Sequence, residues 1–321
     1  MNKIVILGNG FDLAHGLKTK YDDFIKHIIN LSINCDKDVR KELIDVSGLD
    51  SEYQSYNYIR ENFIEIRKFA NRYGEINFSN LFFKELISNY FISDWVDIEA
   101  FYFHHLSLAK PERIDVLQHE FELIKKHLQL YLIFISESSP LELIPEFLEI
   151  FKLENPDSIL FLNFNYTTRI HQYFNALTDI KKKSILNIHG DLYDKSNPII
   201  FGYGDNKDTR YIEIIHKRNN KYLRNLKRQQ YNLADQYSQI KNQLDNGEKF
   251  EIFSIGHSLG LSDKTLLKEI FENQNLQKIR MYYYNDIEGY RDLNDNIRRI
   301  VNDETFSKVI NYTKSFKIPQ K

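Results

Sequence analysis

Five short apolar runs, each ending on a glycine, asparagine or histidine, constrain this chain most: Ile4–Leu7, Ile159–Leu162, Ile185–Ile188, Ile199–Phe201 and Phe250–Ile255. A strand with one solvated face alternates apolar and polar residues, whereas near-continuous apolar runs belong to strands buried on both faces. Such strands occur where helices cover both sides of a parallel sheet. The expected fold is α/β, with a mostly parallel sheet in a Rossmann-like core and the ligand crevice at the carboxyl ends of the strands.

Between the runs the period changes. From about Glu52 to Phe151 apolar residues recur at helical spacing, as in Phe121, Ile124, Leu128, Tyr131, Leu132 and Ile135, with Pro140 and Pro145 closing the stretch. Residues 51–151 therefore read as a large helical insertion, with 1–50 and 152–321 forming the α/β core. A second, smaller helical insertion spans about 206–248. It carries Lys217, Arg218, Lys221, Arg224, Lys227 and Arg228, which read either as a solvated face or as a contact to cofactor phosphates or nucleic acid.

Composition bounds the partners. Lys plus Arg number 43 against 45 Asp plus Glu, a formal charge of −2, so no global field draws the molecule to nucleic acid or acidic lipid. The single cysteine, Cys35, builds neither an intramolecular disulfide nor a four-thiolate zinc site. No run approaches the roughly 18 apolar residues of a membrane span. The expectation is a soluble, cytoplasmic protein with no membrane, nucleic-acid or metal partner.

The first run leads into Gly8-Asn9-Gly10-Phe11-Asp12, with His15 and Gly16 following and a helix expected from about Leu13. Backbone N–H groups in such a turn can meet a phosphate, and glycine removes the Cβ that would block the approach. The spacing is G-x-G-x5-G, neither the dinucleotide fingerprint nor a Walker loop. The turn thus reads either as a nucleotide contact or as plain chain reversal.

Three further runs end in weak strand formers: Asn165-Tyr166-Thr167, His189-Gly190 and Gly256-His257-Ser258. A parallel sheet brings all of these to one edge. There an amide can orient a ribose hydroxyl or a water, and a histidine can move a proton. The structural alternatives are a helix cap for Asn165, a hydrogen-bonded strand end for His189 and helix entry for His257 and Ser258. Gly256-His257-Ser258-Leu259-Gly260 spells a nucleophile elbow, but that motif needs a later histidine and none follows His257.

The blocks ILGNGFDLAHGL, WVDIE, FLNFNYT, NIHG, FGYGD and FSIGHSLGLSD, in that order, resemble the AbiH family of bacterial phage-defence (abortive infection) proteins, nearly end to end. They are also similar, remotely, to sirtuin-like domains: Gly8, Gly10 and Gly16 match three glycines, Asn165 a turn asparagine, His189-Gly190 a His-Gly pair, and Gly256 with Ser258 a last block. Thr167 stands where that pattern has an aspartate.

The resemblance implies an NAD-binding fold with Asn165 and His189 as the catalytic pair. Gly8, Asn9, Gly10, Phe11, Asp12, His15, Gly16, Tyr166, Thr167, Gly190, Gly256, His257 and Ser258 would then line the nucleotide. Sirtuin deacylases usually carry a four-cysteine zinc module, which one cysteine does not build; the resemblance to sirtuin-like defence effectors without that module implies NAD hydrolysis at the nicotinamide–ribose bond. A phage-derived trigger and self-association suit such an effector. The alternatives are a nucleotide-binding sensor without turnover and a metal-dependent nuclease using Asp97 and Glu99, which otherwise read as an acid-rich helix start.

Overall fold

The computed structural model describes residues 2–48, 56–61, 76–93, 97–139, 142–202, 209–233, 236–245, 247–284, 287–309 and 316–319. The chain divides into two compact units, one of residues 1–18, 135–212 and 223–321, the other of 19–134 and 213–222. The helical unit therefore begins at Thr19, earlier than the helical periodicity indicates, and returns for one short segment of the second helical stretch.

The strands are β1 (Asn2–Leu7), β2 (Ile44–Asp45), β3 (Asn77–Phe78), β4 (Ser158–Asn163), β5 (Lys182–Asn187), β6 (Phe250–Ile255), β7 (Leu276–Tyr283) and β8 (Phe316–Lys317). β2 and β3 form a small antiparallel pair in the helical unit. Among the described residues the other six make one sheet in the order β5-β4-β1-β6-β7-β8, every neighbouring pair parallel. Numbered among themselves these strands run 3-2-1-4-5-6, the doubly wound Rossmann order, whose direction of winding reverses between β1 and β6.

The apolar runs follow from this placement. In β1, Ile4 and Ile6 join a core with Leu160, Leu162, Ile252 and Ile279 on one face, while Val5 and Leu7 join Ile159, Phe161, Phe253 and Ile255 on the other. Both faces of the central strands are thus covered, and each such side chain contributes roughly 1.5–3 kcal/mol of burial. β5 lies at the edge and is only partly buried.

At the opposite, amino-terminal end of β1, Lys3 Nζ donates to the carbonyls of Phe151 (2.9 Å) and Leu153 (2.8 Å) at the end of the helix Pro145–Lys152. Burial lowers its pKa to about 8. This lysine satisfies helix-terminal acceptors that would otherwise lack donors.

Several sequence expectations are corrected. Ile199–Phe201 is not a strand; Ile200 N–H donates to the His189 carbonyl at 2.7 Å. β7 was not expected, because Lys278 and Arg280 interrupt its apolar run, and Arg280 is buried against Glu251 and Glu154. The first helix spans Asn9–Ala14 rather than starting near Leu13, so Gly10, Phe11 and Asp12 lie inside it. Gly204, Trp95 and Val96 lie outside the described residues. Among the described residues, no helix is long and apolar enough to cross a membrane.

Candidate functional site

The turns after β1, β4, β5 and β6 share one edge of the sheet, because parallel pairing aligns Leu7 with Asn163 and Ile255, and Asn163 with Asn187. The register continues past the strands: Phe164 N–H donates to the Leu7 carbonyl, Gly8 N–H to Ile255, and Ile188 N–H to Asn163. Gly8, Asn165, His189 and His257 are thereby set on adjacent strand ends, within one unit.

The glycine turn has a visible packing role. Gly10 N–H donates to the Gly256 carbonyl at 2.8 Å, and Phe11 N–H to Gly8. A Cβ on Gly8 would lie 2.4 Å from the His257 Cα. Three N–H groups of this turn therefore already have protein acceptors, and the glycines let two backbones touch. Gly16 instead ends the helix region at φ +76° with open space around it.

Asp12 is buried, and Thr167 donates its hydroxyl to Asp12 Oδ2 at 2.8 Å. Burial pushes its carboxyl up to about 7, against the opposing pull of the Thr167 bond and the Arg169 charge. Among the described residues its Oδ1 has no hydrogen-bond partner, and neither does the Nδ2 of buried Asn165. Asn165 does not cap a helix, since the following one starts at Ile170. The Asn163 side chain shapes this turn, accepting from Asn165 N–H at 3.2 Å and donating to the Thr167 carbonyl at 3.1 Å. Tyr166 reaches out to donate to the Ile200 carbonyl at 3.1 Å.

His189 belongs to a buried charged cluster. Asp263 Oδ1 lies 3.0 Å from His189 Nε2 and 3.0 Å from Lys227 Nζ, and Tyr231 donates its hydroxyl to the same oxygen at 3.3 Å. Lys227 Nζ is also 3.4 Å from His189 Nε2. From the β6 turn, His257 Nε2 sits 3.6 Å from Asp263 Oδ2. Leu259 adopts a left-handed φ of +53°, rare for a leucine, and its N–H donates to His257 Nδ1 at 2.9 Å. The proton of a neutral His257 therefore rides on Nε2, facing Asp263. The Phe164 ring meets both imidazoles edge-on, with centroids 5.3 Å from His189 and 4.4 Å from His257.

The electrostatics follow from burial beside a matched pair of charges. Asp263 is held well below the usual carboxylate range, the Lys227 charge and the two histidines outweighing its desolvation. Burial, against the opposing attraction of Asp263, leaves His257 lowered to about 4. Burial, reinforced by the Lys227 charge, also lowers His189, against Asp263 and a hydrogen bond to the Phe164 carbonyl.

Other predicted residues go elsewhere. His15 is committed to an aromatic core: its Nδ1 meets the Phe11 carbonyl at 2.7 Å, its Nε2 meets the Tyr173 hydroxyl at 2.6 Å, and its ring stacks on Phe147. Ser258 is exposed, its carbonyl accepting from Asn296. Gly190 takes φ +84°, and a Cβ there would strike the Pro198 carbonyl oxygen at 2.2 Å. In the helical unit Asp97 caps the helix Ile98–Leu108, accepting from Ala100 N–H at 3.0 Å, and Glu99 is buried in its first turn.

Sequence reasoning missed Lys227, Asp263 and Tyr231. Lys227 has no exposed surface, which corrects the reading of the basic run as a wholly solvated face; Arg218 and Arg224 do fit that reading. Asp263 closes the block FSIGHSLGLSD, and its place three residues after Gly260 was the available signal.

A doubly wound parallel sheet carrying a buried Asp-Lys-His-His cluster at the carboxyl end defines a Rossmann-like α/β protein with a polar strand edge. Residues 4–285 match the family model described as Bacteriophage abortive infection AbiH, and the chain belongs to this family of phage abortive-infection defence. No curated protein and no solved structure matches it.

Proposed function

We propose that this strand edge binds NAD, or a related adenine nucleotide, and that the protein is an abortive-infection effector hydrolysing the nicotinamide–ribose bond. The observation that carries this reading is His189, buried and joined to Asp263 at 3.0 Å at the same edge as Asn165, whose Nδ2 has no partner. An unpartnered buried amide costs about 1–3 kcal/mol, a cost a ligand hydroxyl or a held water relieves.

In the reaction the bond between ribose C1′ and the pyridinium nitrogen breaks, and its electron pair stays on nicotinamide, which leaves neutral. Water adds to C1′ of the oxocarbenium-like sugar and gives up a proton. Asn165 orients the water or the ribose. His189, neutral at pH 7, takes the proton, and the Asp263 carboxylate stabilises the resulting imidazolium before solvent removes the proton. Asp12 Oδ1 offers a second unpaired group to a ribose hydroxyl. The winding reversal between β1 and β6 is where ligands of such sheets lie, which supports placing the nucleotide across Gly8–Gly10 and Gly256.

The sensor reading draws support from a specific observation: His189 already meets Asp263, Lys227 and the Phe164 carbonyl. In that case the site binds nucleotide without turnover. Nicotinamide release by the purified protein, beside Asn165→Ala and His189→Ala variants of confirmed fold, separates the two. Turnover lost by at least 100-fold in both variants is the expected result. Saturable NAD binding without turnover selects the sensor, and absence of both removes the NAD-directed reading.

A further inference from the structure

Lys227 is the least expected charge in the protein. It is fully buried and stands at the start of the helix Lys227–Leu233, where the helix dipole disfavours a cation. Desolvating an ammonium costs several kcal/mol, and a buried ion pair seldom stabilises more than apolar side chains of the same size. The pair is thus poorly explained by folding alone, and both of its members touch the same imidazole nitrogen.

We propose that Lys227 and Asp263 are positioning residues for His189: the ammonium donates to Nε2 and to the Asp263 carboxylate, and the two opposed charges beside that nitrogen hold the ring uncharged and in one orientation at the strand edge. The proposal rests on the reading of His189 as the working histidine of the site. The groups facing its ring are Lys227 and Tyr231 from the Lys227–Leu233 helix, Asp263, His257 from the β6 turn, and the Phe164 carbonyl with Phe164 and Tyr166 as ring neighbours.

The signs are opposite for the two partners. Lys227 disfavours a proton on His189, and Asp263 favours one. Removing the ammonium alone must therefore raise the proton affinity of His189, removing the carboxylate alone must lower it, and removing both must largely cancel. A pair whose charges did not reach the ring would not produce this pattern.

The test is NMR titration of the full chain with 15N- and 13C-labelled histidine, His189 being identified by the signal missing from His189→Gln. In Lys227→Met the His189 midpoint is expected to rise by about one pH unit or more, the usual effect of a charge at this range. In Asp263→Asn it falls, and in the double variant it returns to within about half a unit of wild type. Lys227→Gln, uncharged but polar, repeats the loss of charge should the methionine variant not fold. An unchanged midpoint on loss of the ammonium, or a double variant displaced as far as the single, overturns the proposal. The readout needs no turnover, so a protein that proves not to cleave NAD still decides it; where turnover exists, the acid limb of its pH profile moves with the NMR midpoint.

Discussion

Gly10 and Gly256 are in backbone contact: the Gly10 N–H donates to the Gly256 carbonyl at 2.8 Å, and a Cβ built on Gly10 would sit 2.6 Å from the Gly256 Cα. This contact joins the two strands between which the sheet reverses its winding. Gly256 has φ +66°, and its own Cβ would lie 2.3 Å from the Phe11 nitrogen, so strain and overlap add there. Gly256→Ala is expected to cost about 3 kcal/mol or more in urea unfolding. Gly16→Ala, strained in φ but with open space around it, should cost only about 1 kcal/mol. Equal costs at the two positions would mean that the turns yield and the close approach is not needed.

Acid should unfold this protein partly through His257. Its folded pKa of about 4 lies below the unfolded value, so between these values the unfolded chain binds the extra proton. Stability is intact above about pH 6.5 and falls as the pH drops toward 4, by at most about 3 kcal/mol from this group. His257→Phe, which keeps a ring against Phe164, should flatten that part of the pH–stability curve. An equally steep fall in the variant would assign the acid sensitivity elsewhere.

Asp12 acts in the opposite sense. Its carboxyl is raised to about 7, so the folded state favours the protonated form and the associated stability is lost as pH rises from about 4 through 7. Asp12→Asn removes this titration while keeping an oxygen to accept from Thr167. The variant's stability minus that of wild type should climb across the window, by up to about 4 kcal/mol above pH 7. Thermal melts at pH 5 and pH 8 read it directly, and a difference that stays flat with pH would show that Asp12 is ionised throughout.

The strand ends are legible in the sequence because the chemistry there is local. An apolar run stopped by glycine, asparagine or histidine announces a parallel strand and its turn, and β1, β4, β5 and β6 all declare themselves this way, although β5, at the edge, is only partly buried. β7 stays hidden because Arg280 finds its partners, Glu251 and Glu154, on other parts of the chain. Ile199–Phe201 deceives for the converse reason: it is buried like a strand, yet among the described residues it joins no sheet. Lys227 is illegible for a third reason. In a run of like charges nothing local marks the one whose counterion arrives 36 residues later, and only tertiary folding selects it.

β1 occupies the middle of the sheet, yet both of its partners lie far along the chain: Val5 pairs with Phe161 on one side and Phe253 on the other. As the chain emerges from the ribosome, β1 waits for both of its partners until the segments that carry them have been made. At roughly 5–20 residues per second, its second edge stays open for on the order of 10–50 s, while the greater part of the helical unit is already complete. Contacts of such sequence separation also make for slow closure of the sheet. The strand edge is therefore complete only once β6 has been made and the Gly256 turn can close on Gly10.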